Sequence, residues 1–392
     1  MQQKLWSKEF TAVASANLLM AWAFYSLMPT LPIYLTRDLG ISQGSTGFVM
    51  AGFSISAILI RPFAGYLLDN YQRFLVFILS LFLLTGVYGA YPFAHGVAAM
   101  FLLRFAHGAM WGICSSSVAP IVADIVPPAR LGEGIGIYGL SIPIGMTIGP
   151  MFGLEVLKRS GADTMFVAVL GISFLSLLIG FLAKTPASAI TRKKLIIANL
   201  VHRKALPVSL CMFLVMIAYG SIIVFAGVYA AQKSFPNVAA FFLCFAAALF
   251  CSRVFLSRLF DRGYFLHLVL AGIALTAIGM PWLGNAWNPT QFLVAGIING
   301  LGFGILMPTC QAAVNSLVGP HERGAANSTY LVSYDLGMGV GSLLVGFLAD
   351  RVTLGAIYGY TSLLIVLSAG IFLLVAIPHY RRNKSRYNEA GR

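Results

Sequence analysis

The chain has 392 residues, 59% of them hydrophobic and 10% charged, with 26 Lys and Arg against 12 Asp and Glu and a formal net charge of +14. A soluble globular chain carries about 25% charged residues, so there is too little polar side chain here to coat a water-exposed surface, and an ordinary cytosolic enzyme is excluded. In lipid the length divides by the ~20 apolar residues that cross a bilayer, which leaves room for about twelve helices.

Hydropathy predicts spans at 10–35, 44–68, 74–93, 98–122, 132–157, 164–183, 207–231, 238–258, 264–284, 290–317, 324–349 and 355–378. The first is long, continuous and without a small-residue cleavage site, so it is expected to be a span and not a removable leader. Loops are short except for residues 184–206, which carry Lys184, Arg192, Lys193, Lys194, Arg203 and Lys204. The expected organisation is a six-helix half over 1–186, a basic linker over 187–206, a second half over 207–378 and a basic tail over 379–392. The five cysteines, Cys114, Cys211, Cys244, Cys251 and Cys310, all lie in apolar stretches and read as small buried residues.

The charge is distributed by topology. Arg73, Arg130, Arg258, Arg262, Arg323, the linker and both termini carry most of the Lys and Arg, whereas Arg37, Lys158, Arg159, Lys233 and Arg351 fall on the other side. The positive-inside rule therefore puts both termini in the cytoplasm and requires an even number of spans. The basic excess is expected to meet anionic lipid, with no nucleic acid involved.

The halves read as copies. Arg61 lies eight residues before Asp69 and Arg253 eight before Asp261, and an offset of 192 relates the pairs. The same offset carries Gly108 to Gly300, Gly112 to Gly304, Tyr138 to Tyr330, Ser141 to Ser333, Gly145 to Gly337 and Gly149 to Gly341. A parallel repeat implies a pseudo-two-fold axis along the membrane normal, with a site at the repeat interface.

At the end of span 2 the run from Arg61 to Arg73 holds Gly65, Leu67 and Asp69. A glycine here would let helices approach closely, Asp69 would accept from a neighbouring helix start, and Arg73 would pair with Asp124. Repeated at Arg253, Asp261 and Arg262, the cluster would latch the cytoplasmic face, while the bland reading is a charged loop obeying topology. This run resembles the signature G-x-L-x-D-R-x-G-R of the major facilitator superfamily, with Gly65, Leu67, Asp69 and Arg73 in place and Asn70 and Gln72 departing from it. The resemblance extends over the whole chain and implies an all-α membrane protein of twelve helices in two pseudo-symmetric halves around a central cavity.

Span 5 carries Gly136, Gly145, Gly149, Pro150 and Gly153, small residues along one flank with a proline that permits a bend. It resembles the superfamily's antiporter motif, G-x8-G-x3-G-P-x2-G-G, with Leu154 at the last glycine, and implies export. Tight packing on a neighbouring helix is the alternative, and the two are compatible. In span 4, Arg104, His107, Gly108 and Trp111 resemble the family's R-x-x-Q-G with His107 for Gln. Arg104 and His107 share a face, and a mid-span arginine is costly enough, at about 2.5–3.5 kcal/mol, to point away from lipid. His107 reads equally as an interhelical hydrogen-bonding histidine or as a proton or substrate group.

Asp335 falls half-way along span 11, and its counterpart by offset is Pro143. A carboxylate withdrawn from water favours its neutral form, which makes Asp335 the candidate proton carrier, with a static ion pair, for instance to Arg104, as the rival reading. Glu155, near the far mouth of span 5, is a secondary candidate beside Arg104 and His107. Asn17, Tyr25, Arg104, His107, Trp111, Tyr219, Asn299, Phe303 and Tyr330 are the candidate substrate contacts, because the resemblance places spans 1, 4, 7 and 10 around the cavity.

Nothing in the chain reads as an enzyme: there is no G-x4-G-K-[ST] loop, no H-E-x-x-H and no nucleophile elbow, and no cofactor or metal is expected. Without an ATP-binding motif, transport must draw on a gradient. The expectation is a monomeric secondary transporter in a bacterial-type inner membrane. It would export a drug-like, siderophore-like or amphiphilic solute in exchange for protons by rocker-switch alternating access. Uptake by symport or uniport, or a non-transporting receptor, remain the alternatives.

Overall fold

No hydrophobic force draws one apolar helix to another in lipid, so spans hold together by close packing of small residues and by satisfied backbone bonds. The computed structural model describes residues 5–127, 130–183, 201–261, 264–319 and 323–388, without the side chains of residues 62, 131–132, 136, 143, 253–261, 323–324 and 384–388. The predicted linker therefore lies mostly outside the described residues, as does Arg262.

The chain runs α1 (Lys8–Ile33), α2 (Gln43–Asn70), α3 (Arg73–Ala90), α4 (Val97–Ile125), α5 (Leu131–Gly139) and α6 (Ser141–Phe181). It continues through α7 (Leu206–Gln232), α8 (Val238–Asp261), α9 (Phe265–Gly284), α10 (Pro289–Ser316), α11 (Arg323–Ala349), α12 (Leu354–Ile371) and α13 (Ile377–Asn388). Wide π-helical turns follow α1 at Tyr34–Asp38 and α12 at Phe372–Ala376, and no strand occurs among the described residues. Ten runs are long and apolar enough to cross a membrane, and Val238–Ser252 is a shorter apolar helix. One of the ten, Glu133–Phe181, is 49 residues long, or about 70 Å at helical rise, enough for two passages. The set is consistent with twelve spans.

Local chemistry sets several ends. Ser7 caps α1, its Oγ accepting from Phe10 N at 3.1 Å, with Glu9 in the first turn where the dipole favours an anion. Asn288 Oδ1 accepts from Gln291 N at 2.8 Å at the start of α10, whose first residue is Pro289. Gly161, at φ +81°, breaks α6 into two rods in a conformation that glycine alone adopts readily.

Two expectations about span 5 change. The helix is interrupted at Leu140, between α5 and α6, so the predicted span 132–157 is two helical pieces. Pro150 lies inside α6 without non-helical backbone angles, so the helix is not broken at the proline but at Gly161. Its flanking glycines, Gly149 and Gly153, are seated on Tyr25 and Ser26 of α1. The C-terminal tail also differs from a plain basic extension, because it is helical through Asn388.

Chain contacts divide the molecule into two units, Met1–Ile41 with Gly52–Leu195 and Ser42–Ala51 with Ile196–Arg392. In the first, α1 packs along α6, and α3 packs on α4 and α6. A methyl group added at Gly145, Gly149 or Gly153 would fall closer than 3.0 Å to the backbone or Cβ of Ala21, Tyr25 or Ser26. The second unit has α11 along α7, α10 against α8 and α9, and α12 against α9 and α7. There Gly337 and Gly341 meet Phe213, Met216 and Ile217 at similarly forbidden distances. The α2 segment grouped with this unit sets Gly47 on Ser342 and Gly346, and Asp350 Oδ1 accepts from Gly44 N at 3.3 Å. Outward faces are apolar, with Leu102, Val167, Leu363 and Leu374 exposed, as lipid contact requires.

Candidate functional site

The polar interior of the first unit gathers around α4. Arg104, one turn before His107, is 1% exposed. Its Nη2 donates to Met28 Sδ at 3.5 Å, and its guanidinium carbon stands 4.7 Å from the Phe53 ring centroid. His107 is fully buried, its Nδ1 3.1 Å from the Tyr91 hydroxyl and its ring 4.8 Å from that of Tyr88. Trp111 stacks on Phe24 at 4.0 Å. The three residues of span 4 are thus held on one face, as their spacing predicts, and packed by rings from α1, α2 and α3. Asn17 and Tyr25 lie on α1, Asn17 buried and Tyr25 beside Gly149.

Sequence reasoning missed Tyr88, Tyr91, Phe24 and Phe53. Tyr88 and Tyr91 look like interfacial belt residues at the end of an apolar run. Their signal was the i, i+3 spacing, which sets both rings on one side of the chain, where each stands against His107 of α4.

In the second unit, Tyr219 meets Phe303 edge-on at 5.2 Å and Tyr334 at 6.1 Å. Asn299 is fully buried, donates through Nδ2 to Ala295 O at 3.0 Å and fills the space that Gly279 leaves open. Tyr330 is tied to α10, its hydroxyl donating to Met307 O at 2.7 Å. Asp335, 8% exposed, sits next to Tyr334 about half-way along α11.

Of the latch residues, Arg73 Nη1 and Asp124 Oδ1 form an ion pair of 2.7 Å. Arg61 and Asp69 are half-buried on α2. Gly65 corrects the expectation of a close approach: it is exposed, and a methyl group there would meet nothing within 4 Å. Arg253 and Asp261 lie on α8, but their side chains, and the surroundings of Gly136 on α5, are outside the described residues. Glu155 is engaged by Arg159 one turn on, which ties up the proposed secondary proton site. Among the described residues no group of His, Cys, Asp or Glu is arranged to hold a metal ion.

The model of the Major Facilitator Superfamily matches residues 13–291 and 269–392. The staphylopine export protein of Staphylococcus aureus is 21% identical over 365 residues, covering 88% of this chain and 91% of that one. A multi-drug resistance efflux pump PmrA homolog of Lactococcus lactis is 25% identical over 400 residues, covering 94% and 96%. Among solved structures, the POT family transporter PepTSo shares the fold with a TM-score of 0.80 at 13% identity, over 97% of this chain and 99% of that one. The nucleoside transporter NupG does so with 0.76 at 13% identity, over 93% and 99%. Matched by the family model from residue 13 to residue 392 and covering nearly all of known transporter structures, the chain is a transporter, not an enzyme, and belongs to the Major Facilitator Superfamily.

Proposed function

We propose that this transporter exports a small organic solute in exchange for protons, by rocking two internally rigid halves about a central site. The observation that carries the reading is the glycine seam of each unit. Gly145, Gly149 and Gly153 set α6 on the backbone of α1, and Gly337 and Gly341 set α11 on α7. Seams in which a methyl group has no room make each unit move as one body, which is what alternating access by rocking requires. The first seam coincides with the motif that resembles the antiporter branch. Relatives named for export and efflux support the same direction.

Asp335 is the proton carrier in this reading: a buried carboxylate in an apolar helix can be loaded with a proton on one side and emptied on the other. Arg104, His107, Trp111, Asn17 and Tyr25 serve the solute from the first half, and Tyr219, Asn299, Phe303 and Tyr330 from the second. Arg73 and Asp124, with Arg61, Asp69, Arg253, Asp261 and Arg262, form the cytoplasmic latch. The chain works as a monomer with twelve spans, both termini cytoplasmic and its basic loops against anionic lipid.

Everted vesicles test the direction and the coupling together. An imposed proton gradient should drive solute accumulation, and a protonophore should abolish it. Accumulation indifferent to the protonophore removes antiport, and accumulation only in right-side-out vesicles favours uptake. Single cysteines at Lys158 and Lys193, in a background with the five native cysteines replaced by serine, should be labelled from opposite sides of the membrane.

A further inference from the structure

The first unit carries a buried charge that nothing in it balances. Arg104 lies seven residues into α4, about 10 Å from its start at helical rise, and is 1% exposed. Its Nε and Nη1 have no hydrogen-bond partner, and among the described residues no carboxylate stands at salt-bridge distance from it. Four of the unit's seven acids are paired elsewhere, Asp38 with Arg37, Asp124 with Arg73, Glu133 with Arg130 and Glu155 with Arg159, and none of the seven is within salt-bridge distance of Arg104. A thioether, the neutral Tyr91 hydroxyl and one aromatic face offset only part of the cost of withdrawing a guanidinium from water. Two more buried polar atoms of the same cluster lack partners, His107 Nε2 and the Tyr88 hydroxyl. Three side chains from two helices thus hold unused hydrogen-bonding capacity around one cation.

The charge does not belong to the repeated scaffold. The residue 192 positions on from Arg104 is Gly296, which packs on Phe241. A cation kept in one half, at a cost and without a carboxylate at salt-bridge distance among the described residues, is explained by a partner that brings the negative charge.

We infer that Arg104, His107 and Tyr88 form an anion subsite, and that the exported solute carries a carboxylate or phosphonate group beside an aromatic or apolar body. The inference rests on the export reading and narrows its substrate class. The acid group accepts from Arg104 Nε and Nη1 in charge-assisted bonds. With the Tyr91 hydroxyl donating to Nδ1, the neutral imidazole of His107 offers Nε2–H as a further donor, and the Tyr88 hydroxyl completes the set. Phe24 and Phe53, whose rings lie 5.7 and 5.4 Å from that of His107, wall the apolar side. The cluster is occluded in this structure, so the Phe24 and Phe53 side chains must swing aside to admit the solute while the helix seams of the unit stay closed.

The test uses the purified full chain in detergent and follows thermal unfolding with benzoate and phenylphosphonate, against benzamide and benzylamine as neutral and cationic counterparts and sodium chloride and sulfate as inorganic anions. Benzoate and phenylphosphonate should raise the melting temperature, and their counterparts should not. Arg104→Gln should unfold at a higher temperature than the wild type without ligand, because an unbalanced charge is gone, and should lose the benzoate shift. Arg104→Lys, which keeps the charge but not the fork, should bind benzoate about tenfold more weakly. An Arg104→Gln protein that is less stable than wild type, or equal shifts with benzamide, overturns the inference. A shift saturated by chloride or sulfate, with nothing added by benzoate, assigns the cluster to an inorganic ion and overturns it as well. Everted vesicles separate this failure from that of the export reading. Proton-driven accumulation of the cation ethidium without any benzoate binding would sink the anion subsite and leave export standing. A benzoate shift without gradient-driven flux of any solute would do the reverse.

Discussion

Shifted by 192 residues, the two units align in their contacts as well as in their residue types. Gly108 meets Phe53 and Ser56, and Gly300 meets Phe245 and Ala248; Gly112 meets Ala57 and Ile60, and Gly304 meets Leu249 and Ser252. Each contact in one unit is the other's counterpart, position for position. The side chains between these contacts are not copies. Arg104, His107 and Trp111 correspond to Gly296, Asn299 and Phe303, and Asp335 corresponds to Pro143. One unit holds a buried cation and the other a buried carboxylate, on the same glycine framework. The comparison teaches that packing and chemistry are separable here: helix approach is set by glycines against backbone, and charge is placed independently of it.

The sharpest way to break that contrast is to remove the carboxylate. Asp335→Asn should lower gradient-driven accumulation by about a hundredfold or more, the scale on which a proton-transfer group acts, while solute exchange without a gradient persists. Pro143→Ala, its counterpart, should leave coupling in place. Normal accumulation by Asp335→Asn would mean that the proton travels elsewhere.

The framework can be attacked symmetrically. Gly153→Val in one unit and Gly341→Val in the other both drive a side chain into backbone, where neither partner can yield. Each should cost about 3 kcal/mol or more of stability, read as a lower melting temperature of the purified protein. A large effect in one unit and none in the other would show that the seams are not equivalent.

Smaller effects sharpen the same point. Gly65→Ala has open space and a helical backbone, so it should raise stability by about 0.5–1 kcal/mol. Lost transport with raised stability would give Gly65 a role in another conformation. The Arg73–Asp124 pair, with side chains 23% and 26% exposed, should contribute no more than about 1 kcal/mol in a double-mutant cycle. A larger coupling would mark it as part of a network.

Much of this was legible in the sequence. The spans follow from hydropathy, the repeat from the 192-residue offset, and the Arg73–Asp124 pair from opposite charges at neighbouring span ends. The grouping of Arg104, His107 and Trp111 follows from helical spacing. What was not legible depends on neighbours. Gly65 looks like Gly149 in a motif, yet one faces open space and the other Tyr25. Pro150 has the local chemistry of a break, yet the breaks fall at Leu140 and Gly161 instead. Glu155 looked available until Arg159, four residues on, took it. Tyr88 and Tyr91 are indistinguishable from belt aromatics until their rings are found against His107.

The π-helical turn at Phe372–Ala376 bears on how the last helix finds its seat. His379 Nε2 lies 3.1 Å from Lys204 O, Ser316 Oγ donates to the Tyr380 hydroxyl at 3.3 Å, and the Tyr380 ring lies 4.6 Å from that of Phe265. A wide turn accommodates one residue more than an α-turn, and each residue advances a helix by about 100°. The insertion therefore acts as an indexing step, swinging the face of α13 that carries His379 and Tyr380 onto these partners. Deleting Leu374, which is 79% exposed and touches little, would restore the plain pitch and swing both side chains off their seats by a little over a quarter turn. The docking of the tail is thus encoded in a spare residue in the lipid, at a distance from every atom that makes the contact.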